Sequence, residues 1–432
     1  MKKFHRGAVA MLSEKLIKMV SHLVMLILLA RFLGTEELGQ LMYCLALASI
    51  FIFLNGLGLD TLLTKQFIDR PSKKHSYLQH ALIARLIAGV ICIILINIVA
   101  IWLVDESYRL LLFIISLYHL LMPFTVFDWY LQAEGKGELS AIALIFGHIT
   151  GFIFRLICLY LGGDILWLGF AYFLEALVLA GSLFLIVRRQ NSRFSGPISP
   201  ERIKNMVTTA SPLIVSGAVV LLYMKVDQLM LGYMINESEV AVYVAATRLS
   251  EAWYFVGLTL IGVYFPLLLQ ILNEKGIASY RLTIINMGSW LIWGAISLAM
   301  ATVFLADWLI YVLYGTDFHL SADVLIVTIW AVPFVYLGAI STKMFVTMNK
   351  QKIVLYRSVS GLIVNLALNI LLIPYYGALG AALATLVAQI FASYIVNAFV
   401  DKNGDIFKTQ TMILFRLFIR SKYLNDRLNS KR

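Results

Sequence analysis

Twelve stretches between residues 9 and 400 each carry about twenty apolar residues, enough for a helix to cross the hydrocarbon core of a bilayer. They run roughly 9 to 32, 41 to 63, 82 to 104, 109 to 131, 139 to 161, 165 to 187, 208 to 234, 240 to 271, 283 to 314, 322 to 346, 355 to 374 and 377 to 400. A chain built this way has few choices of fold, because in lipid its backbone groups must be satisfied within each segment. The expectation is an all-α integral membrane protein. Composition agrees: 61% of the 432 residues are hydrophobic and 14% charged, against about 45–50% and about 25% in soluble domains. Disorder and collagen are excluded by the same figures. The first stretch carries Glu14, Lys15 and Lys18 and lacks a small-residue cleavage site, so it reads as a spanning helix and not as a signal peptide.

The net charge of +11 has a topological reading and does not call for a nucleic-acid partner. Twenty-seven Lys and Arg residues fall in the loops and tail that share a side with the N-terminus, and two, Arg31 and Arg109, fall on the other side. Among the twenty-seven are Lys73, Lys74, Arg193, Arg202, Lys343, Arg357 and the tail residues from Lys402 to Arg432. Basic loops stay cytoplasmic, so both termini are expected on the cytoplasmic side of the membrane. The opposite loops, such as Thr35-Glu36-Glu37 and Asp105-Glu106-Ser107, are too short for a catalytic domain. Cys44, Cys92 and Cys158 lie in apolar stretches with no CxxC pattern, and no HExxH or Walker pattern occurs. Neither a metal nor a cofactor is expected.

The longest polar break, around Pro197 and Pro200, divides the chain six helices to six. The expected domains are a lobe at 1–187, a cytoplasmic linker at 188–205, a second lobe at 206–400 and a basic cytoplasmic tail at 401–432. Short echoes about 200 residues apart, Leu33-Gly34 with Leu231-Gly232 and Gly56-Leu57 with Gly257-Leu258, suggest parallel repeats. The segment Phe407 to Arg420 is too short to span and mixes basic with apolar residues, so it is expected to lie on the inner membrane surface.

Charges within the spans are expensive, at least about 2.5–3.5 kcal/mol on insertion scales, and should face protein and either pair or work. Glu14, Lys15, Lys18, Asp60, Arg85 and Asp128 lie near the cytoplasmic ends, where long side chains such as Lys15 and Lys18 can snorkel. Arg155, Glu175, Lys225, Asp227, Arg248 and Glu251 lie nearer mid-membrane. Depth matches Arg155 with Glu175 and Arg85 with Asp128. Lys225 and Asp227 point to different faces, while Arg248 and Glu251, three apart, share one. An Asp227–Arg248 bridge between helices 7 and 8 fits that spacing, leaving Lys225 to face a cavity or pair with Glu251. Six basic and six acidic residues balance, so structural pairing could also account for all twelve. His22, His119 and His148 have no evident partner and are expected to be packed or hydrogen-bonded. Pro266 and Pro333 are the expected hinges among the prolines Pro123, Pro212, Pro266, Pro333 and Pro374 at or within spans.

Six short motifs, in order, carry a resemblance: Leu33-Gly34 through Leu38-Gly39; Gly56-Leu57-Gly58-Leu59-Asp60; Phe127-Asp128-Trp129 through Gly135-Lys136; Met224-Lys225-Val226-Asp227 through Leu231-Gly232; Val242-Tyr243 through Arg248-Leu249-Ser250-Glu251; and Pro374-Tyr375-Tyr376-Gly377 through Ala382. The chain resembles the polysaccharide transporter family, in the manner of Wzx-type O-antigen flippases, within the multidrug, oligosaccharidyl-lipid and polysaccharide (MOP) exporter superfamily. The resemblance implies two six-helix lobes around a central cavity. It also implies a substrate, an undecaprenyl-diphosphate-linked oligosaccharide, with membrane lipids, a polysaccharide polymerase and a chain-length regulator as partners. Basic cavity residues carried over would be Arg155, Lys225 and Arg248. With Arg85 these form the candidate substrate-binding set, and Asp227, Glu251, Glu175 and Asp128 the candidate coupling or gating set. The alternatives are a cation-coupled multidrug exporter of the same superfamily, a membrane glycosyltransferase and a structural scaffold.

Overall fold

A computed structural model describes residues 2–189, 197–401 and 404–416. The linker residues Ser192, Arg193, Ser195 and Gly196, and the tail from 417 onward with Arg420, lie outside the described residues. Contacts divide the chain into two compact units, Met1–Ala241 and Val242–Arg432. This division places the helix that follows the Pro197–Pro200 break with the first unit.

The first unit contains α1 (Lys2–Ile50), α2 (Ile52–Gly56), α3 (Leu59–Asp69), α4 (Lys74–Leu103), α5 (Arg109–Ser116), α6 (Val126–Ala133), α7 (Gly137–Tyr160), α8 (Ile165–Arg189) and α9 (Pro200–Met234). The second contains most of α10 (Glu237–Tyr314), then α11 (Ser321–Thr328), α12 (Ala331–Thr347), α13 (Gln351–Ile390) and α14 (Val396–Val400), with a π-helical turn at Phe391–Ile395. No strand occurs among the described residues.

Among the described residues, nine helical stretches are long and apolar enough to cross a membrane. Three are too long to cross only once. The 49 residues of α1 would extend about 70 Å at 1.5 Å per residue, more than twice a hydrocarbon core. Each of the three breaks at a glycine of positive φ: Gly34 (φ 71°) in α1, Gly276 (φ 76°) in α10 and Gly377 (φ 52°) in α13. Such angles crowd a Cβ, so glycine is the residue that can turn the chain there. Counting two legs for each broken stretch gives twelve spans, as the apolar runs imply.

Other spans break where the sequence reading had them continuous. Between α2 and α3, Leu57 (φ 51°) and Gly58 (φ 60°) take the left-handed conformation. Between α5 and α6 the chain passes through two 3₁₀ turns, the second containing Pro123. Pro333 lies three residues into α12, and the break sits upstream of it. The Ile329 carbonyl, which a regular helix would offer to residue 333, instead accepts from the Val332 N–H at 3.1 Å. The echoed motifs do not share conformation. Gly34 turns the chain, whereas Gly232 is helical and packs against the Tyr43 ring.

Side chains sort as in a membrane bundle. Along α4, Ile87, Ile91, Ile94, Ile98 and Ile101 form an exposed stripe, while Ala81, Arg85, Ala88, Cys92 and Ile96 are buried. Small residues inside let helices approach, and branched apolar residues suit contact with lipid. In the second unit, residues 405–416 form a helix that buries Ile406, Thr409, Gln410 and Ile413 and exposes Met412 and Phe415. Ser289 donates to the Ile413 carbonyl at 3.1 Å, and Gln410 donates to the carbonyls of Leu337 and Ser393. One face of this segment, expected from the sequence on the inner membrane surface, is built into the protein. Arg281 pairs with Asp405 at 2.6 Å and holds that carboxyl below its usual range. Lys343 and Arg357, assigned from sequence to a loop, lie inside α12 and α13.

Candidate functional site

The densest set of buried ionisable groups among the described residues lies where α1, α7 and α8 meet. Glycines allow that meeting. A Cβ on Gly151 of α7 would fall 2.6 Å from Glu175 Oε2, and one on Gly147 would collide with Leu179. Along α7, His148, Gly151 and Arg155 occupy one face, since seven residues make two turns to within about 20°. They point at Glu175 of α8 and at α1, from which Glu14 and His22 approach, eight residues or about 12 Å apart along the axis.

Glu175 is the hub. Its Oε2 accepts from Arg155 Nη1 at 2.6 Å, and its Oε1 lies 2.7 Å from His148 Nδ1 and 3.9 Å from His22 Nε2. The other nitrogen of His148, Nε2, is 3.4 Å from Glu14 Oε1. The Arg155 guanidinium also lies over the Tyr172 ring, 4.5 Å from its centroid. Arg155 is 1% exposed, His148 5%, Glu175 7% and Glu14 8%. Burial at that level makes each charge depend on its partners: removing one member of a buried pair typically costs about 3–5 kcal/mol, because the other is left uncompensated.

Arg155 and Glu175 thus pair, as their depth implies. Glu14, His22 and His148 were not foreseen in this group. Depth sorting separated Glu14 from Glu175, and His148 connects them. The i,i+3,i+7 series His148-Gly151-Arg155 is the signal that could have revealed it.

The expected pairing of Arg85 with Asp128 is not formed. Arg85, 1% exposed, donates Nε to the Asn55 carbonyl at 3.0 Å and Nη1 to Thr125 Oγ1 at 2.8 Å and the Pro123 carbonyl at 3.4 Å. Its guanidinium packs on Trp129 at 4.7 Å. Asn55 and Pro123 sit at two of the helix breaks of the first unit, and their carbonyls accept from Arg85. Arg85 satisfies them, so it ties two interrupted spans together. Asp128 instead accepts from Ser140 Oγ and from Gln132 Nε2 at 2.8 Å. It lines a cavity of about 640 Å³ together with Glu14, Lys15, Asp60, Trp129 and Gln132.

Of the remaining candidates, Lys225 is half-buried and Asp227 buried on α9. Arg248 finds its acid within its own helix: Nη1 donates to Glu251 Oε2 at 2.9 Å, and both side chains are partly exposed. Lys15 and Lys18 are exposed on α1. His119 behaves as expected, with Nε2 3.1 Å from the Ala48 carbonyl. The second unit holds a buried cation that sequence reading missed. Arg357 donates Nε to the Ala392 carbonyl in the π-helical turn at 2.9 Å and Nη1 to Ser341 Oγ at 2.9 Å.

The family model described as "Polysaccharide biosynthesis protein" matches residues 4–272. No curated protein matches the chain in sequence. Among solved structures, the lipid II flippase MurJ in an inward closed conformation aligns with a TM-score of 0.73 at 16% identity, covering 97% of this chain and 92% of its own. An inward-facing multidrug resistance MATE family transporter of the MOP superfamily aligns at 0.72 and 15% identity, covering 91% and 96%. A MOP superfamily transporter from Pyrococcus furiosus aligns at 0.58 and 14% identity, covering 96% of each chain. These likenesses concern the fold, a multi-pass membrane bundle. With the family model matching well over half its length, the chain belongs to the polysaccharide biosynthesis protein family and has the fold of the MOP superfamily transporters.

Proposed function

We propose that the protein is a flippase that turns an undecaprenyl-diphosphate-linked oligosaccharide, such as an O-antigen repeat unit, across a bacterial inner membrane by alternating access. The observation that carries the reading is membership of a polysaccharide biosynthesis family by a chain with a transporter fold. Flipping a lipid-linked sugar is the step of polysaccharide assembly that such a fold suits.

The diphosphate needs cations that are accessible to it. Arg85 and Arg155 are buried and bonded, so we assign them to holding helices. Lys15, Lys18, Lys225 and Arg248, exposed or half-buried, are the cations we assign to the headgroup. Asp128, Asp227 and Glu251 remain the acids we assign to coupling or gating. With no Walker pattern in the sequence, an ion gradient, the membrane potential or product removal drives transport.

The test is deletion in the native cell with complementation by Lys225→Ala/Arg248→Ala. The expected outcome of deletion is accumulation of diphosphate-linked oligosaccharide on the cytoplasmic leaflet and loss of surface polymer, restored by the native gene but not by the double variant. Intact polymer together with raised drug sensitivity would instead establish the multidrug exporter reading, which the MATE likeness favours.

A further inference from the structure

We infer that His22, His148 and Glu175 form a binding site for a divalent transition ion of the zinc class. His22, His148 and Glu175 offer one donor atom each, all within 4.8 Å of one another, with Glu175 Oε1 2.7 Å from His148 Nδ1 and 3.9 Å from His22 Nε2. Two imidazoles and one carboxylate are the donor set of three-ligand zinc centres that keep a fourth position open. Imidazole nitrogen also favours zinc, cobalt or nickel over magnesium or calcium, which prefer oxygen.

Around a tetrahedral ion with donors at about 2.0–2.1 Å, neighbouring donors stand about 3.3 Å apart. The 3.9 Å gap between His22 and Glu175 would close by about 0.6 Å, and the 2.7 Å gap between His148 and Glu175 would open by about as much. Side-chain torsions can absorb such movements. The ion takes the place of the proton on His148 Nδ1, which leaves to water.

What sets this group apart from a chance cluster is the layer behind it. A ligating histidine usually gives its second N–H to a carboxylate or carbonyl, and a ligating carboxylate is itself held by a donor. Both supports are in place. His148 Nε2 faces Glu14 Oε1 at 3.4 Å, and Glu175 Oε2 is held by Arg155 at 2.6 Å, leaving Oε1 for the ion. Arg155 is in turn packed on Tyr172, and Gly151 makes room for Glu175. The three donors come from α1, α7 and α8, so an ion would join all three helices.

Charge defines the fourth ligand. With His148 neutral, two carboxylates face one guanidinium and one dication, leaving a positive charge. Exposed Lys18 adds to it. The open position, on the side where His22 is 47% exposed, therefore takes an anionic oxygen or a halide.

The experiment uses the full chain, freed of any histidine tag and held in detergent micelles, titrated with Co²⁺ and then Zn²⁺. The expected result is one equivalent of Co²⁺ with the intense visible absorption of a four-coordinate centre, displaced by Zn²⁺. His22→Ala should weaken binding tenfold or more without moving the thermal midpoint, since that side chain is half exposed. Glu14→Gln, which leaves every ligand in place, should weaken it about 10–100-fold. His319→Ala, on an exposed turn of the second unit, should change nothing. Equal binding by the native chain and His22→Ala, a six-coordinate spectrum or no binding at micromolar ion would overturn the proposal. None of these outcomes depends on whether the protein flips a lipid, so the two readings fail separately.

Discussion

The two units bury different chemistry. In the first, Arg155 meets a carboxylate, and the group around it alternates acid and base from Glu14 through His148 and Glu175. In the second, Arg357 is bound by neutral oxygens and neighbours a set of amides: Asn369 donates to Asn365, Asn397 to Gln410, and Gln410 to the carbonyls of Leu337 and Ser393. A neutral network can lose a member and strand a dipole. A charged one strands a charge. The charged group around Glu175 is therefore expected to be more fragile at single positions than the amide network around Gln410.

The sharpest test of that contrast is Glu175→Ala. It leaves Arg155 buried without its acid, and should cost about 3–5 kcal/mol, read as a marked fall in the thermal midpoint in detergent. Adding Arg155→Met should recover part of the loss, because the stranded charge goes with it; strictly additive losses would mean the two do not act as a pair.

Arg85→Met and Arg357→Met come next. Each removes the hydrogen bonds donated at a helix irregularity, at about 1–3 kcal/mol, and neither should be rescued by a change at an acid. If Arg85→Met proved as costly as Glu175→Ala, the distinction between charged and neutral partners would fail. Asn397→Ala should matter less, near the average of about 0.6 kcal/mol for hydrogen bonds between membrane helices. The smallest effect belongs to Asp405→Asn at the surface. Because Arg281 lowers the Asp405 pKa, any stability it lends is present at neutral pH and is lost as pH falls through that lowered value. Midpoints of native and variant chains should therefore converge in acid.

The twelve spans could be read from apolar runs because the bilayer imposes one length on all of them. The Arg155–Glu175 pair could be read because few charges share its depth. The partners of Arg85 could not. Besides Thr125 Oγ1 they are the main-chain carbonyls of Asn55 and Pro123, and a carbonyl has no letter of its own in the sequence. Leu57 gives no warning of a left-handed turn, since leucine rarely adopts one. His148 is hydrogen-bonded, as the sequence allows, but its partners could not be named, because an imidazole at helical spacing looks the same whether or not two acids flank it. Arg357 was placed in a loop because apolar windows blur the ends of spans, and its partner carbonyl depends on a π-helical turn near Ala392.

The helix at 405–416 has a consequence for how the protein is made. Chains emerge from the ribosome N-terminus first, so α10 and α12 are synthesised well before Ile406, Gln410 and Ile413 exist to cover them. Until residues 405–416 are made, the second unit lacks the side chains of Ile406, Gln410 and Ile413 that cover this face. Its closure waits for this helix, so α10 and α12 complete their packing only after residues 405–416 have been made.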